Sequence, residues 1–207
     1  MTATTVPTTE APVARSDELA QAAFRLFSSR GIAGVNMDAI AAEAGVTKGS
    51  LYWHYSSKKE VVLAACAVYY QRWRKNMGAA LEGAQSRFAA VEAAIAFSVR
   101  DCLLDDANRV FTLEIIASSL YDEEIRASWA GFQDEVERHF LGLVHRAVGA
   151  GELEVDDVDG AVEVMVSAME GVKQLALFRP FTAAPDSEVR IRRQLASLLG
   201  RPTTPGR

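Results

Sequence analysis

Two cysteines, Cys66 and Cys102, are too few for a disulfide framework. Both stand in apolar helical surroundings and read as buried, reduced thiols. No apolar run approaches the roughly 18 residues of a membrane span. The opening MTATTVPTTEAPVA lacks the apolar stretch of a signal peptide, so no membrane partner is expected and the expected location is cytoplasmic. No nucleophile motif, GxGxxG or P-loop supports catalysis, so neither an enzyme nor a cofactor is expected. Glu135 and His139 lie one turn apart, with His145 further on, but that is half a metal site without CxxC or HExxH beside it; no metal is expected. Period-2 alternation is missing as well, which leaves an all-α chain. Positive charge is also scarce. A formal net charge of −5 excludes a protein that coats nucleic acid by bulk attraction.

The charge is not spread evenly. Across residues 1–60, Arg15, Arg25, Arg30, Lys48, Lys58 and Lys59 balance Glu10, Asp17, Glu18, Asp38, Glu43 and Glu60, so the acidic excess lies beyond them. That pattern suits a small DNA reader on one edge of an acidic body, with affinity drawn from two copies.

The segment NMDAIAAEAGVTKGSLYWHYSSKKE, residues 36–60, has the layout of a helix-turn-helix. Asn36 is an N-cap, and Met37, Ile40, Ala41 and Ala44 form one apolar helical stripe. Gly45 stands where a left-handed backbone ends a helix, and Val46 plugs the turn. Thr47 caps a second helix, in which Leu51 is the main apolar anchor. Gly49 costs that helix about 1 kcal/mol relative to alanine, which suggests close approach to another surface. Ser57 and Glu60 form a capping box for the next helix. Lys58 and Lys59 sit in its first turn, where only an expected phosphate favours lysine. Lys48, Gly49, Ser50 and Trp53 are therefore expected at base edges in a major groove. Asn36, Thr47, Tyr52, His54, Lys58 and Lys59 are expected at phosphates. The competing reading makes Tyr52 core and Trp53 a small surface patch.

This segment also resembles a known family. GIAGVNMDAIAAEAGVTKGSLYWHYSSKKEVV is similar to the DNA-binding domain of TetR-family transcriptional regulators, over roughly Ser16 to Ala67, with AGVTKGSLYWHY its most specific part. Ala39, Tyr55 and Lys59 depart from the usual acidic residue, Phe and Glu. The first two read as packing variations, and the third adds attraction for phosphate. In that family the residues matching Tyr52 and Lys58 often hold phosphates.

The expected organisation is a tail at residues 1–14, a three-helix DNA-binding domain at 15–60, a helical bundle at 61–200 and a tail at 201–207, with about nine helices in all. Ser16 is expected to cap the first helix, and the helix from Ser57, ending near Gly78 or Gly83, to link the two domains. Further helices are expected from Gln85 to Leu104, from about Arg109 to Leu120 behind a DDAN cap, and from Asp122 to an end at Gly149 to Gly151. The last pair should run from Asp157 to Phe178, stopped by Arg179-Pro180, and from about Asp186. Gly160 and Gly171 read as permitting close approach.

By the resemblance, the terminal pair packs against its copy in a homodimer, with Val162, Met165, Met169, Val172, Leu195 and Leu198 as interface candidates; the alternative is that this stripe is intramolecular core. The resemblance also implies a small-molecule effector in the body. Trp73, Phe97, Phe111, Glu114, Trp129, Phe132, Met165 and Met169 are its candidate lining, although such residues are core by default. Glu114, in an apolar run, needs a partner: Arg100, Arg109 or a ligand group. The function so implied is a dimeric repressor on a palindromic double-stranded DNA operator, released by a small hydrophobic molecule. A helical partner protein that kept the module without reading DNA is the competing reading, and an enzyme ranks third.

Overall fold

Side-chain caps set most of the helix starts. Asn36, Thr47, Ser86, Asp105, Asp122 and Asp157 each hold a non-helical backbone and accept a backbone N–H from the first turn that follows. The computed structural model describes residues 12–178 and 186–203. Among them run α1 (Pro12–Arg30), α2 (Met37–Glu43), α3 (Lys48–His54), α4 (Lys58–Leu81), α5 (Arg87–Phe97), α6 (Asp106–Ser119), α7 (Glu123–Gly149), α8 (Val158–Leu175) and α9 (Ser187–Leu198). Among the described residues the fold is helical but for one small feature. Leu153–Glu154 (β1) pairs antiparallel with Arg201–Pro202 (β2), where sequence periodicity gave no strand. Two-residue strands are too short to leave an alternating pattern, and their pairing is decided across the fold. The first residues of the expected C-terminal tail are thus paired; residues 204–207, 1–11 and the expected Arg179-Pro180 stop lie outside the described residues.

The chain divides into two compact units, one ending at Tyr69 and the other beginning at Tyr70. The first half of α4 therefore belongs with the N-terminal unit, nine residues beyond the boundary expected from sequence. In that unit Leu19, Phe27, Ile40, Leu51 and Val61 are fully buried. Ser16 is not the cap of α1, which starts at Pro12, a residue suited to a first helical position. The capping box of α4 is also shifted. The Ser57 hydroxyl accepts from the Glu60 N–H at 3.3 Å, but the Glu60 carboxylate accepts from the N–H of Ser56, not Ser57, at 2.7 Å.

In the second unit α7 packs against α5, α6 and α8, and α9 against α5 and α8. Side chains from the second half of α4 meet α7 along a column of rings. Tyr70 stacks on Phe132 at 4.3 Å, Trp73 meets Phe132 edge-on at 5.4 Å, and His139 meets Trp73 edge-on at 5.6 Å. Arg74 adds a bidentate pair with Glu135 at 2.5 and 2.6 Å. Glu135 is thus engaged by a guanidinium, and His145 faces Asp159 at 3.6 Å. The helix expected from Gln85 to Leu104 starts at Arg87 and widens into π turns over Ser98–Leu104. The next starts at Asp106, three residues early, because Asp105 caps it through the N–H of Asn108. Within the chain, a reason for glycine is visible at Gly160. A Cβ on Gly160 would collide with the capping carboxylate of Asp157, while one on Gly171 would meet nothing.

Burial, followed by the charge of Arg146, holds the His139 imidazole below its ordinary pKa, against the opposing pull of Glu135. With the folded value the lower one, the unfolded chain takes up the proton first as pH falls. Stability is therefore full above about pH 6.5 and is lost below it. The urea midpoint should fall between about pH 7.5 and about pH 5.5, and fall less in His139→Phe, which keeps a ring against Trp73. An equal fall in both proteins would assign the dependence to another group.

Candidate nucleic-acid interface

The seven residues of α3 are held from one side. Leu51 is fully buried beneath the helix. Ahead of it, Gly45 takes φ +65°, a backbone that residues with a Cβ rarely adopt. The turn closes with the Val46 N–H donating to the Ala41 carbonyl at 2.9 Å. Thr47 then accepts from the Ser50 N–H at 3.2 Å. At the other end Tyr55 is buried, and its hydroxyl donates to the Ser16 carbonyl at 3.0 Å. The Ser16 hydroxyl lies 2.7 Å from the Tyr55 phenol oxygen. Burial pushes the Tyr55 phenol up, with Asp17 adding to the effect and the Ser16 bond opposing it. On the α1 side, Arg25 binds Glu43 at 3.0 Å and pins the end of α2.

The opposite side of α3 is open. Trp53 is 74% exposed and Tyr52 44%, and the Trp53 ring stands edge-on to His54 at 4.7 Å. A Cβ on Gly49 would meet nothing nearer than the Thr47 hydroxyl at 4.0 Å, so packing within the chain does not require this glycine. Beside α3 lies a cleft of about 450 Å³, whose lining includes Asn36, Asp38, Lys48, Tyr52 and Lys58. It brings together three of the expected phosphate residues and one expected base reader. Gly49, Ser50 and Trp53, with Thr47, His54 and Lys59, are outside its lining. Asn36 and Thr47 use their side-chain oxygens as caps, so only their remaining polar capacity faces outward. Lys48 is paired with Asp38 at 2.8 Å, and that hydrogen bond raises the pKa of its ammonium.

A profile of bacterial regulatory proteins of the tetR family matches residues 19–65. The N-terminal domain is a tetR-family helix-turn-helix. Among curated relatives, the HTH-type transcriptional regulator SrpR of Pseudomonas putida is 44% identical over 46 residues, 22% of this chain and 22% of its own length. The HTH-type transcriptional repressor KstR2 of Mycolicibacterium smegmatis is 43% identical over 51 residues, 25% of each chain. The matches to these relatives thus span only about a quarter of their length. Solved structures extend the likeness over the body. A TetR transcription regulator from Haloarcula marismortui superposes with a TM-score of 0.79 at 15% identity, covering 90% of this chain and 97% of that one. A protein of Saccharomonospora viridis, proposed as a transcriptional regulator and solved in complex with choline, gives 0.78 at 19% identity, covering 90% and 95%. At such identities the likeness establishes the fold alone.

In the second unit Trp73, Phe97, Phe111, Trp129, Phe132, Met165 and Met169 are all buried, and none lines the clefts of about 510 and 520 Å³ there. Glu114 is half-buried, while Arg100 and Arg109 pair with Asp101 at 3.0 Å and Asp106 at 2.5 Å. Of the expected interface residues, Val162, Met165, Met169 and Leu195 are buried within the chain, Val172 is half-buried and Leu198 is exposed. The apolar band of α8 is two faces wide. Val162, Met165 and Met169 turn into the core, whereas Val164 and Leu175, with Ala168 and Gly171 between them, follow an i, i+4, i+7, i+11 line on another side. Both are apolar, so periodicity alone does not separate them. Lys173 continues Met165 and Met169 at the same spacing. Its ammonium is buried, 2.8 Å from Glu170 and 5.7 Å from the Trp129 ring centroid.

Tyr55→Phe keeps the ring and removes the bonds to Ser16. It should lower the unfolding free energy by about 1 kcal/mol in urea titration. No change would mean that hydration of the two groups matches their bond.

Proposed function

We propose that the chain is a transcriptional regulator that binds a palindromic DNA operator as a homodimer, acts as a repressor, and releases DNA when a small apolar molecule binds its C-terminal body. The observation that carries this reading is the exposed face of α3 beside a cleft holding Lys48, Tyr52 and Lys58. In that concavity the Lys58 ammonium and the Tyr52 phenol suit phosphate oxygens, while the Lys48 ammonium suits a guanine edge and the projecting indole a thymine methyl.

A second copy is supported by the outer face of the terminal helices. Val164, Leu175, Leu177, Phe178 and Val189 are large apolar side chains left 43–79% exposed. Covering them with a two-fold partner is the commonest closed solution, and it would present two recognition helices to half-sites about 34–36 Å apart. The effector reading rests on the aromatic column of the body, an apolar lining that a ligand would have to open, and on the choline held by the Saccharomonospora viridis protein of similar fold. Release requires that the ligand bind better to the conformer with the wrong helix spacing, since only that difference in affinity can lower affinity for DNA. The helix α4 contributes to both units and is the natural lever.

The first test is a mobility-shift titration on DNA from just upstream of the protein's own gene, at two salt concentrations, followed by selection from random sequences if that fragment fails. Lys58→Ala should weaken binding to every sequence and lower the slope of log K against log salt by about 0.9. Tyr52→Phe should likewise weaken all sequences, while Lys48→Ala should relax preference among them. Full-strength binding by Lys58→Ala would remove its phosphate role.

Val164→Glu places a charge on the outer face of α8 without touching the core. Sedimentation should then show monomers, with operator affinity lost and helicity retained. A persistent dimer would put the interface elsewhere.

A further inference from the structure

One feature of the candidate interface runs against simple phosphate binding. A cleft lined by two lysines also contains a carboxylate, Asp38, which would repel a phosphate brought into it. Asp38 lies in the first turn of α2 and Lys48 is the first residue of α3, and they meet across the turn at 2.8 Å. Both side chains are about 60% exposed, so neither is driven to the other by burial.

From this contact we infer that Asp38 is a specificity-determining residue, which holds the Lys48 ammonium away from phosphates and presents it to base edges. The inference rests on the DNA-binding reading and adds a division of labour within it. Lysine is a point charge on a flexible stem, with three donors that can turn to any nearby acceptor. Left to itself beside a duplex, its strongest partner is the sequence-independent phosphate backbone. A carboxylate at 2.8 Å takes one donor and leaves two, which match the O6 and N7 acceptors of a guanine. The same carboxylate cancels most of the charge that a phosphate would feel. Lys58, in the same cleft, lies at the start of α4 and can serve the backbone. Asp38 also suits the positive end of α2. A role limited to that would not depend on Lys48.

The test measures affinity for the selected operator and for unrelated DNA, across salt, in the wild type, Asp38→Asn, Lys48→Ala and the double variant. Asp38→Asn should bind unrelated DNA several-fold more tightly. Its salt slope should steepen by about 0.9, one more phosphate contact. The ratio of operator to unrelated affinity should fall about ten-fold, the size of one base contact. In the Lys48→Ala background the same substitution should leave that ratio unchanged. Equal effects in both backgrounds would reduce Asp38 to general repulsion and overturn the inference, as would an unchanged ratio in Asp38→Asn alone. Failure of the wild type to bind any DNA would overturn this and the reading beneath it together, whereas normal binding with no Asp38 effect would overturn this alone.

Discussion

A seven-residue helix has no stability of its own, because the cost of its first turn is never recovered over so few bonds. Everything that the outer face of α3 offers therefore depends on how its inner face is held. Leu51 supplies the buried anchor, Thr47 closes the first turn, and Tyr55 ties the far end to α1 through Ser16. Arg25 and Glu43 do the same for α2. With so much of the helix fixed from behind, Trp53 and Tyr52 are left facing outward, and Lys48 meets Asp38 across the turn. That separation of anchoring from presenting is what allows Gly49, a poor helix former, to be tolerated.

The same economy of faces organises the body. On α4 and α7, rings and an Arg74–Glu135 fork alternate along one seam, so apolar contact and polar registry come from the same helices. On α8, one side enters the core and another stays apolar and open. Lys173 is the exception on the inward side. A buried ammonium is costly unless partnered, and here Glu170 and the face of Trp129 receive it. Losing either partner would strand the charge, which makes this small cluster sensitive beyond its size.

Much of the N-terminal unit is legible in its sequence. Asn36, Gly45 and Thr47 act through residues one turn away, and such local chemistry survives in a linear string. Ser16 was misread as a cap because a serine ahead of an apolar stripe carries that signature, whereas its true partner, Tyr55, lies 39 residues away. For Val162, Met165 and Met169 the structure takes the alternative of intramolecular core. Periodicity reports that a position is apolar and on which side it lies, but not what stands opposite. The Asp38–Lys48 contact left no trace either, since only the angle between α2 and α3 brings the two together.

By itself, then, the amino-acid sequence determined the helical class, most helix starts, the sharp turn at Gly45 and the residue types on α3. All of these depend on interactions within a few residues, where backbone geometry leaves little choice. Only the tertiary structure decided which apolar face is core and which is open, which carboxylate holds Lys48, that Lys173 is buried, and that β1 and β2 pair. Those outcomes depend on the packing of segments distant in the chain, where many partners are chemically equivalent and space admits one.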